Sequence, residues 1–130
     1  MKTKDFVTGL QHIGLPTANF EETLRFYQSL GFTEVLKTNN PSSSEQVAFL
    51  SLTNLIIEVY ESENVVGKPG AIDHIALDVT NIEAAFEFAV QENYNLLDRA
   101  IQFLPFWEKG VQFFTILGPN GEKIEFSQKL

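Results

Sequence analysis

The residues in this chain best suited to chemistry are two histidines and two glutamates: His12, Glu58, His74 and Glu125. The two histidines are the only ones in the chain, and each precedes a run in which apolar residues alternate. Each glutamate follows an isoleucine inside an apolar strand-like run. A carboxylate there is costly to bury unless it is paired or bound to a metal. Together the four form a ligand set for one divalent ion, and they do not choose among nickel, cobalt, zinc, manganese and iron.

The alternative for each residue, taken alone, is a structural or solvent-facing role. A single strand histidine is more often hydrogen-bonded structurally than a ligand, and a strand glutamate can face water on an open sheet. An internal repeat weakens this alternative, because the segments beginning at His12 and His74 align at an offset of 62 residues. Six of 21 positions are identical between HIGLPTANFEETLRFYQSLGF and HIALDVTNIEAAFEFAVQENY. Duplication therefore gives each half one histidine and one glutamate.

The elements that must position these side chains follow from the pattern in each copy. After each histidine comes a short alternating strand and then a helical stripe, for which Asn19 and Asn81 are suitable N-caps. Glu22 sits where a capping-box carboxylate would, and Gly31 would end the first helix. The runs expected to form the remaining strands are 32–38, 46–52 and 55–60 in the first half, and 94–99, 111–117 and 123–127 in the second.

The order β-α-β-β-β, twice, predicts an α+β fold in one domain over residues 1–130, with repeats at about 8–62 and 71–129. We expect a curved mixed sheet in two half-barrels, with the helices outside and the other face open and concave. The sequence Gly-Pro-Asn-Gly at 118–121 predicts a tight hairpin turn, because Asn-Gly tolerates positive φ angles.

Composition excludes several classes of function. Seventeen acidic and nine basic residues give a net charge of −8, which argues against nucleic acid and membrane surfaces as partners. The chain has no cysteine, so thiolate metal sites and cysteine nucleophiles are excluded. No apolar run is long enough to span a membrane and no signal sequence is evident, so a soluble cytoplasmic protein acting on a small molecule is expected.

Three segments carry a family resemblance: the first repeat unit quoted above, IDHIALDV, and the closing GPNGEKIEF. Through them the chain, from Leu10 to Gln128, resembles the vicinal oxygen chelate superfamily of glyoxalases, bleomycin resistance proteins and dioxygenases. It is most similar to short bacterial-type glyoxalase I. The resemblance implies a homodimeric lyase with metal ligands at His12, Glu58, His74 and Glu125. It further implies that Glu125 shuttles the proton of a hemithioacetal, formed from a 2-oxoaldehyde and a thiol cosubstrate, with Glu58 as partner base.

Two positions depart from glyoxalase I where that family contacts glutathione. Pro16 stands four residues after the first ligand, where an arginine is common, and Ser62 stands where an asparagine is often found. Lys109 could match a basic loop residue of the family, or it could be a solvated loop charge. These departures argue against glutathione and leave the thiol open.

The segment FLPFWEKG at 103–110 is unusually aromatic for a connecting loop. An apolar loop must bury against something, so Phe106 and Trp107, with Lys109, are candidates for a lid over the metal pocket. Packing at a subunit interface or at the end of the barrel is the alternative, because aromatic residues serve both roles.

Two other functions remain open within the same family. Extradiol dioxygenases and thiol transferases use two histidines and one glutamate, so the additional carboxylate of Glu58 argues against them. Antibiotic-sequestering proteins bind a bulky ligand without a catalytic metal, and they have no need of all four ligands.

Overall fold

The structure is a computed structural model that describes residues 2–130. It divides into two units, one up to Val65 and the other from Val66 to Leu130. Each unit contains one copy of the repeat. No helix within residues 2–130 is long and apolar enough to cross a membrane.

The first unit is a four-stranded sheet with one helix, preceded by a single 3₁₀ turn at Thr3–Asp5. Its elements are β1 (Ile13–Thr17), α1 (Phe20–Ser29), β2 (Thr33–Asn39), β3 (Gln46–Leu52) and β4 (Leu55–Glu61). The strand order is β1-β4-β3-β2. β1 runs parallel to β4, and the other pairs are antiparallel.

The second unit repeats this arrangement with one additional strand. Its elements are β5 (His74–Asp78), α2 (Ile82–Gln91), β6 (Asn95–Leu96), β7 (Gln102–Leu104), β8 (Val111–Leu117) and β9 (Lys123–Lys129). The strand order is β5-β9-β8-β6, with β7 also paired to β8, and β5 is parallel to β9. The predicted α+β class with two β-α-β-β-β repeats is confirmed.

In each unit the helix covers one face of the sheet and fixes which side chains face the other way. Ile57 and Val59 of β4 are almost fully buried on the side of α1. In the second unit Phe114 contacts Phe86 of α2 edge-on, with ring centroids 5.1 Å apart, and stacks on Phe126. Because strand residues alternate between faces, the glutamate between two such core residues faces away from the helix.

Both predicted asparagines are N-cap residues, but only Asn81 caps its helix through the side chain. Asn81 Oδ1 accepts a hydrogen bond from the Ala84 amide at 3.0 Å, as expected of an N-cap. The Asn19 side chain forms no such bond. Its backbone amide donates instead to Thr17 Oγ1 at 2.9 Å. This hydroxyl takes the amide that a Glu22 capping box would have used, so the prediction of that box is wrong.

Glycines end the first helix and shape the last hairpin as predicted. Gly31 follows α1 with φ +106, a conformation that glycine adopts without steric cost. In the turn between β8 and β9, the Gly121 amide donates to the Gly118 carbonyl at 3.1 Å. Gly121 has φ +76, whereas Asn120 does not take a positive φ. A side chain at Gly121 would also overlap the Gly67 backbone.

The strand predicted at 94–99 is wrong beyond its first residues. Only Asn95–Leu96 is strand, and the chain then turns because Asp98 Oδ2 accepts the Thr115 amide at 2.9 Å. A separate strand, β7, forms at Gln102–Leu104. The aromatic segment that was expected to be a loop therefore begins on a strand.

Candidate metal centre and adjoining cavity

In the first unit, strand pairing brings His12 beside Glu58. His12 lies one residue before β1, and Gly14 lies directly opposite Glu58 on the parallel strand β4. His12 Nε2 is 3.5 Å from Glu58 Oε1. The imidazole and the ring of Phe49, the cross-strand neighbour of Glu58, form a T-shaped contact with centroids 5.6 Å apart. The two polar side chains are 33% and 28% exposed, so a ligand from solvent can reach both.

The second unit contains an equivalent pair. His74 begins β5, and Ala76, two residues later, lies opposite Glu125 on the parallel strand β9. His74 Nε2 is 3.8 Å from Glu125 Oε1, and the side chains are 43% and 21% exposed. The repeat thus brings one histidine and one glutamate together on the open face of each sheet.

The residue before each histidine determines which ring nitrogen is available. His12 Nδ1 donates to Gln11 Oε1 at 3.0 Å, and His74 Nδ1 donates to Asp73 Oδ2 at 2.9 Å. Amide and carboxylate oxygens only accept hydrogen bonds, so in both rings the proton of the neutral imidazole is on Nδ1. Nε2 therefore presents a lone pair toward the neighbouring glutamate, which is the form of histidine that binds metals.

The two pairs suit a divalent cation. At 3.5 and 3.8 Å the Nε2 and carboxylate oxygens are too far apart for a good hydrogen bond. Two groups bound to one ion at about 2.1 Å each lie roughly 3.0–3.4 Å apart, so only a small movement would bring both onto a cation. Within neither unit does a third histidine, aspartate or glutamate complete a cluster among residues 2–130. Each unit therefore brings together two candidate ligands.

The pairs differ in what supports the histidine. Asp73 also accepts a hydrogen bond from Lys123 Nζ at 3.2 Å. The hydrogen bonds from His74 and then from Lys123 lower the pKa of Asp73 below its ordinary value. A carboxylate acceptor fixes the ring orientation and makes the imidazole a stronger donor to metal. Sequence reasoning missed Gln11 and Asp73, although a polar residue directly before each histidine was a visible signal.

We expect Asp73→Ala to weaken binding of zinc or cobalt by roughly 10- to 100-fold, because His74 loses the partner that orients its ring. Competition against a chromophoric chelator measures this. Asp5→Ala, which removes another exposed aspartate outside both pairs, is the matched control and should leave the affinity unchanged. Equal affinities in the two variants would show that Asp73 does not support the ligand.

A cavity of about 980 Å³ adjoins the second pair, and all of its lining residues belong to the second unit. Its walls include His74 and Glu125, the aromatic rings of Phe106, Trp107 and Phe113, and Lys129. Strand alternation places Glu125 and Phe113 on the face away from α2. Apolar and polar residues contribute equally in number to the lining, and the volume is within the range of small-molecule sites.

Only two of the three candidate substrate-contacting residues of the aromatic loop line the cavity. Phe106 and Trp107 line the cavity, whereas Lys109 is absent from its described lining. A different lysine lines it instead: Lys129 Nζ is 3.9 Å from the centre of the Trp107 ring. Sequence reasoning missed Lys129 because β9 was expected to end at Ser127. Alternation from Glu125 would have placed Lys129 on the same face.

Comparison with known sequences relates the chain to one family. The profile of the Glyoxalase/Bleomycin resistance protein/Dioxygenase superfamily matches residues 9–126. The YwbC protein of Bacillus subtilis (strain 168) is 29% identical over 127 residues, which cover 92% of this chain and 97% of YwbC. The family match thus spans both repeats.

Solved structures share the fold at low sequence identity. A glyoxalase family protein from Enterococcus faecalis has a TM-score of 0.79 at 20% identity, covering 94% of this chain and 98% of that one. The fosfomycin resistance protein FosX of Listeria monocytogenes, crystallised with Mn(II) and sulfate, has a TM-score of 0.74 at 15% identity, covering 96% and 95%. Both solved structures therefore share the fold of this chain.

Proposed function

The chain belongs to the glyoxalase/bleomycin resistance protein/dioxygenase superfamily, and we propose that it is a metal-dependent enzyme of the glyoxalase type. In this proposal it acts on a small carbonyl substrate, such as the hemithioacetal of a thiol and a 2-oxoaldehyde, which it isomerises by moving a proton beside a chelated carbonyl. One observation supports this most directly: in each repeat a histidine Nε2 lies 3.5 or 3.8 Å from a glutamate oxygen, while the Nδ1 of the same ring is hydrogen-bonded to the preceding residue. The Mn(II) bound by FosX supports a divalent ion in this fold.

The proposal assigns the two pairs, His12 with Glu58 and His74 with Glu125, to one ion. They would come from one chain or from two copies of a homodimer, which is the assembly we propose. Borderline and hard divalent metals accept such nitrogen and oxygen ligands. When bound, the metal acts as a Lewis acid for the carbonyl and neighbouring oxygen of the substrate.

Within this scheme the carboxylates carry the proton. Glu125 lines the cavity beside the second pair, so its oxygen can approach the carbon that loses the proton and the carbon that regains it. Glu58 is the partner base on the first pair. The histidines hold their Nε2 atoms toward these carboxylates because Gln11 and Asp73 occupy Nδ1.

The residues at two positions argue against glutathione as the thiol. Pro16 is a β1 residue opposite Tyr60, and its ring offers no charge to clamp a carboxylate. The identity of the thiol cosubstrate is therefore one of the variables in the experiment. Dioxygenase and transferase activities remain weaker alternatives because their sites use a single glutamate, and a metal-free binding protein would have no need of two matched pairs.

The decisive experiment is a turnover screen with defined metal content. Protein stripped of metal and then loaded with nickel, cobalt, zinc, manganese or iron should be assayed on methylglyoxal and phenylglyoxal. Each substrate is tested alone and with glutathione, cysteine or coenzyme A. We expect activity only in loaded protein, lost again on chelation. Full activity without metal would reject the metal-dependent mechanism, and bound metal without any turnover would reject the glyoxalase reaction.

A further inference from the structure

The two ends of the cavity in the second unit carry different chemical groups, and this difference indicates a class of substrate. We propose that it selects an elongated molecule whose anionic end pairs with Lys129 and whose flat apolar section lies against Trp107. The reacting end would lie at His74 and Glu125, so the inference rests on the proposed function for that end alone. It deepens that function by naming the features that the substrate must carry.

Strand β9 sets the length of this cavity. Glu125 and Lys129 both line it and lie four residues apart on one strand. At about 3.3 Å per residue their Cα atoms are roughly 13 Å apart. One end of the cavity therefore carries the candidate catalytic pair and the other carries a cation. A molecule as small as methylglyoxal does not reach from one to the other.

The apolar section of the cavity is formed by aromatic side chains, two of which are largely exposed and do not pack in the core. Trp107 is 67% and Phe106 is 56% exposed, yet both line the cavity. Trp107 also has φ +64, a conformation that a bulky residue rarely adopts and that is concentrated at ligand clamps. Phe113 of β8 provides a third aromatic wall. Exposed rings around a cavity favour a ligand with a flat apolar face.

The charges of the cavity orient such a ligand. Lys129 is the only lysine or arginine among the described lining residues. Its ammonium lies over the Trp107 ring, and no carboxylate forms an ion pair with it in the part of the chain that the structure describes. Two carboxylates also line the cavity: Asp78, opposite Ser127 and so midway along this stretch of β9, and Glu125 at the other end. Lys129 therefore attracts an anion to its end of the cavity, and the carboxylates nearer the catalytic pair repel an anion from the other end.

The chain offers a built-in reporter for this site, because Trp107 is its only tryptophan. The probe is 4-phenylbutyrate, compared with uncharged 4-phenylbutyramide and with butyrate, which lacks the ring. Each is titrated into metal-free and metal-loaded protein while Trp107 fluorescence is followed. We expect saturable binding of 4-phenylbutyrate in both forms, at least about 10-fold tighter than of either comparison compound, because only 4-phenylbutyrate carries both an anion for Lys129 and a ring for Trp107.

Two lysine variants separate the proposed contact from general charge effects. Lys129→Met should reduce the affinity for 4-phenylbutyrate by about 10-fold, to that of the amide, with little effect on the amide itself. Lys109→Met removes the same charge from the neighbouring loop outside the cavity lining and should change neither. Thermal unfolding by circular dichroism verifies that both variants remain folded.

Several outcomes would overturn the proposal. One is equal affinity for 4-phenylbutyrate and its amide, and another is an unchanged affinity for 4-phenylbutyrate in Lys129→Met. A third is binding of 4-phenylbutyrate only to metal-loaded protein, which would place its carboxylate on the ion. Because the titration is done with and without metal, its result is independent of the proposed reaction. A protein that binds no metal but shows the expected Lys129 dependence would refute the proposed function and leave this inference standing.

Discussion

Replacing either histidine should lower the affinity for a divalent ion by more than about 100-fold, because loss of a direct ligand costs more than the 10- to 100-fold typical of its supporting residues. His12→Ala and His74→Ala should each have this effect, and the double variant should bind no metal stoichiometrically. Both side chains are partly exposed, so we expect the variants to fold. Calorimetric titration with zinc, at one ion per chain in the unaltered protein, gives the measurement.

Thr115→Ala provides a matched control for this experiment. Thr115 lies directly across from Glu125 on β8, so the variant alters the surroundings of the second pair without removing a ligand. Its affinity for zinc should remain close to that of the unaltered protein. Two ions per chain, or a strong effect of only one histidine, would contradict a single site built from both pairs.

Mixing the two single variants distinguishes the possible origins of the four ligands. If one site takes His12 from one copy and His74 from another, a mixed dimer has one site with both histidines and one with neither. Mixing His12→Ala with His74→Ala should then restore metal binding to one site per mixed dimer. If each chain builds its own site, the mixture should bind no better than the separate variants.

The sequence was sufficient to predict the paired histidines and glutamates, because two simple rules act together. Duplication places His12 and His74 at the same point of each repeat, and alternation directs a glutamate away from core neighbours such as Ile57 and Val59. Both rules are local or periodic, so a single sequence reveals them. The structure adds the distances within each pair.

The features that sequence reasoning missed depend on contacts between distant residues. Asp98 ends β6 by binding the Thr115 amide, 17 positions later in the chain. At the start of α1, the Asn19 amide that Glu22 would accept in a capping box donates to Thr17 Oγ1, and this hydroxyl is joined to Thr23 by a buried hydroxyl pair. Local propensity does not encode such competition for hydrogen bonds, so the predicted strand and capping box failed.

Divergence between the repeats explains why the cavity wall was also difficult to predict. Residues 40–45 connect β2 to β3 in the first unit, whereas residues 97–110 connect β6 to β8 in the second and include β7. This longer connection carries Phe106 and Trp107, and β9 extends far enough to bring Lys129 over the indole. Duplication supplies the proposed ligands in both units, and the unmatched segment supplies an aromatic wall.

Changing Glu125 to glutamine should abolish most turnover while preserving the fold. The substitution keeps the size of the side chain, so Ile124 and Phe126 retain their buried positions. It removes the group that accepts the proton, and loss of a general base typically lowers kcat by about 10²- to 10⁴-fold. Glutamine still offers an oxygen to metal, so the variant is assayed at saturating metal with occupancy measured in the same sample.

Glu58→Gln is the matched comparison, because it makes the same chemical change in the equivalent pair. If Glu125 is the principal base, Glu58→Gln should lower kcat less than Glu125→Gln at equal metal occupancy. A substrate deuterated at the transferred position adds a direct test, since a rate limited by proton transfer shows a kinetic isotope effect. Full turnover by metal-loaded Glu125→Gln would exclude Glu125 as the base, and a larger loss in Glu58→Gln would assign that role to the first pair.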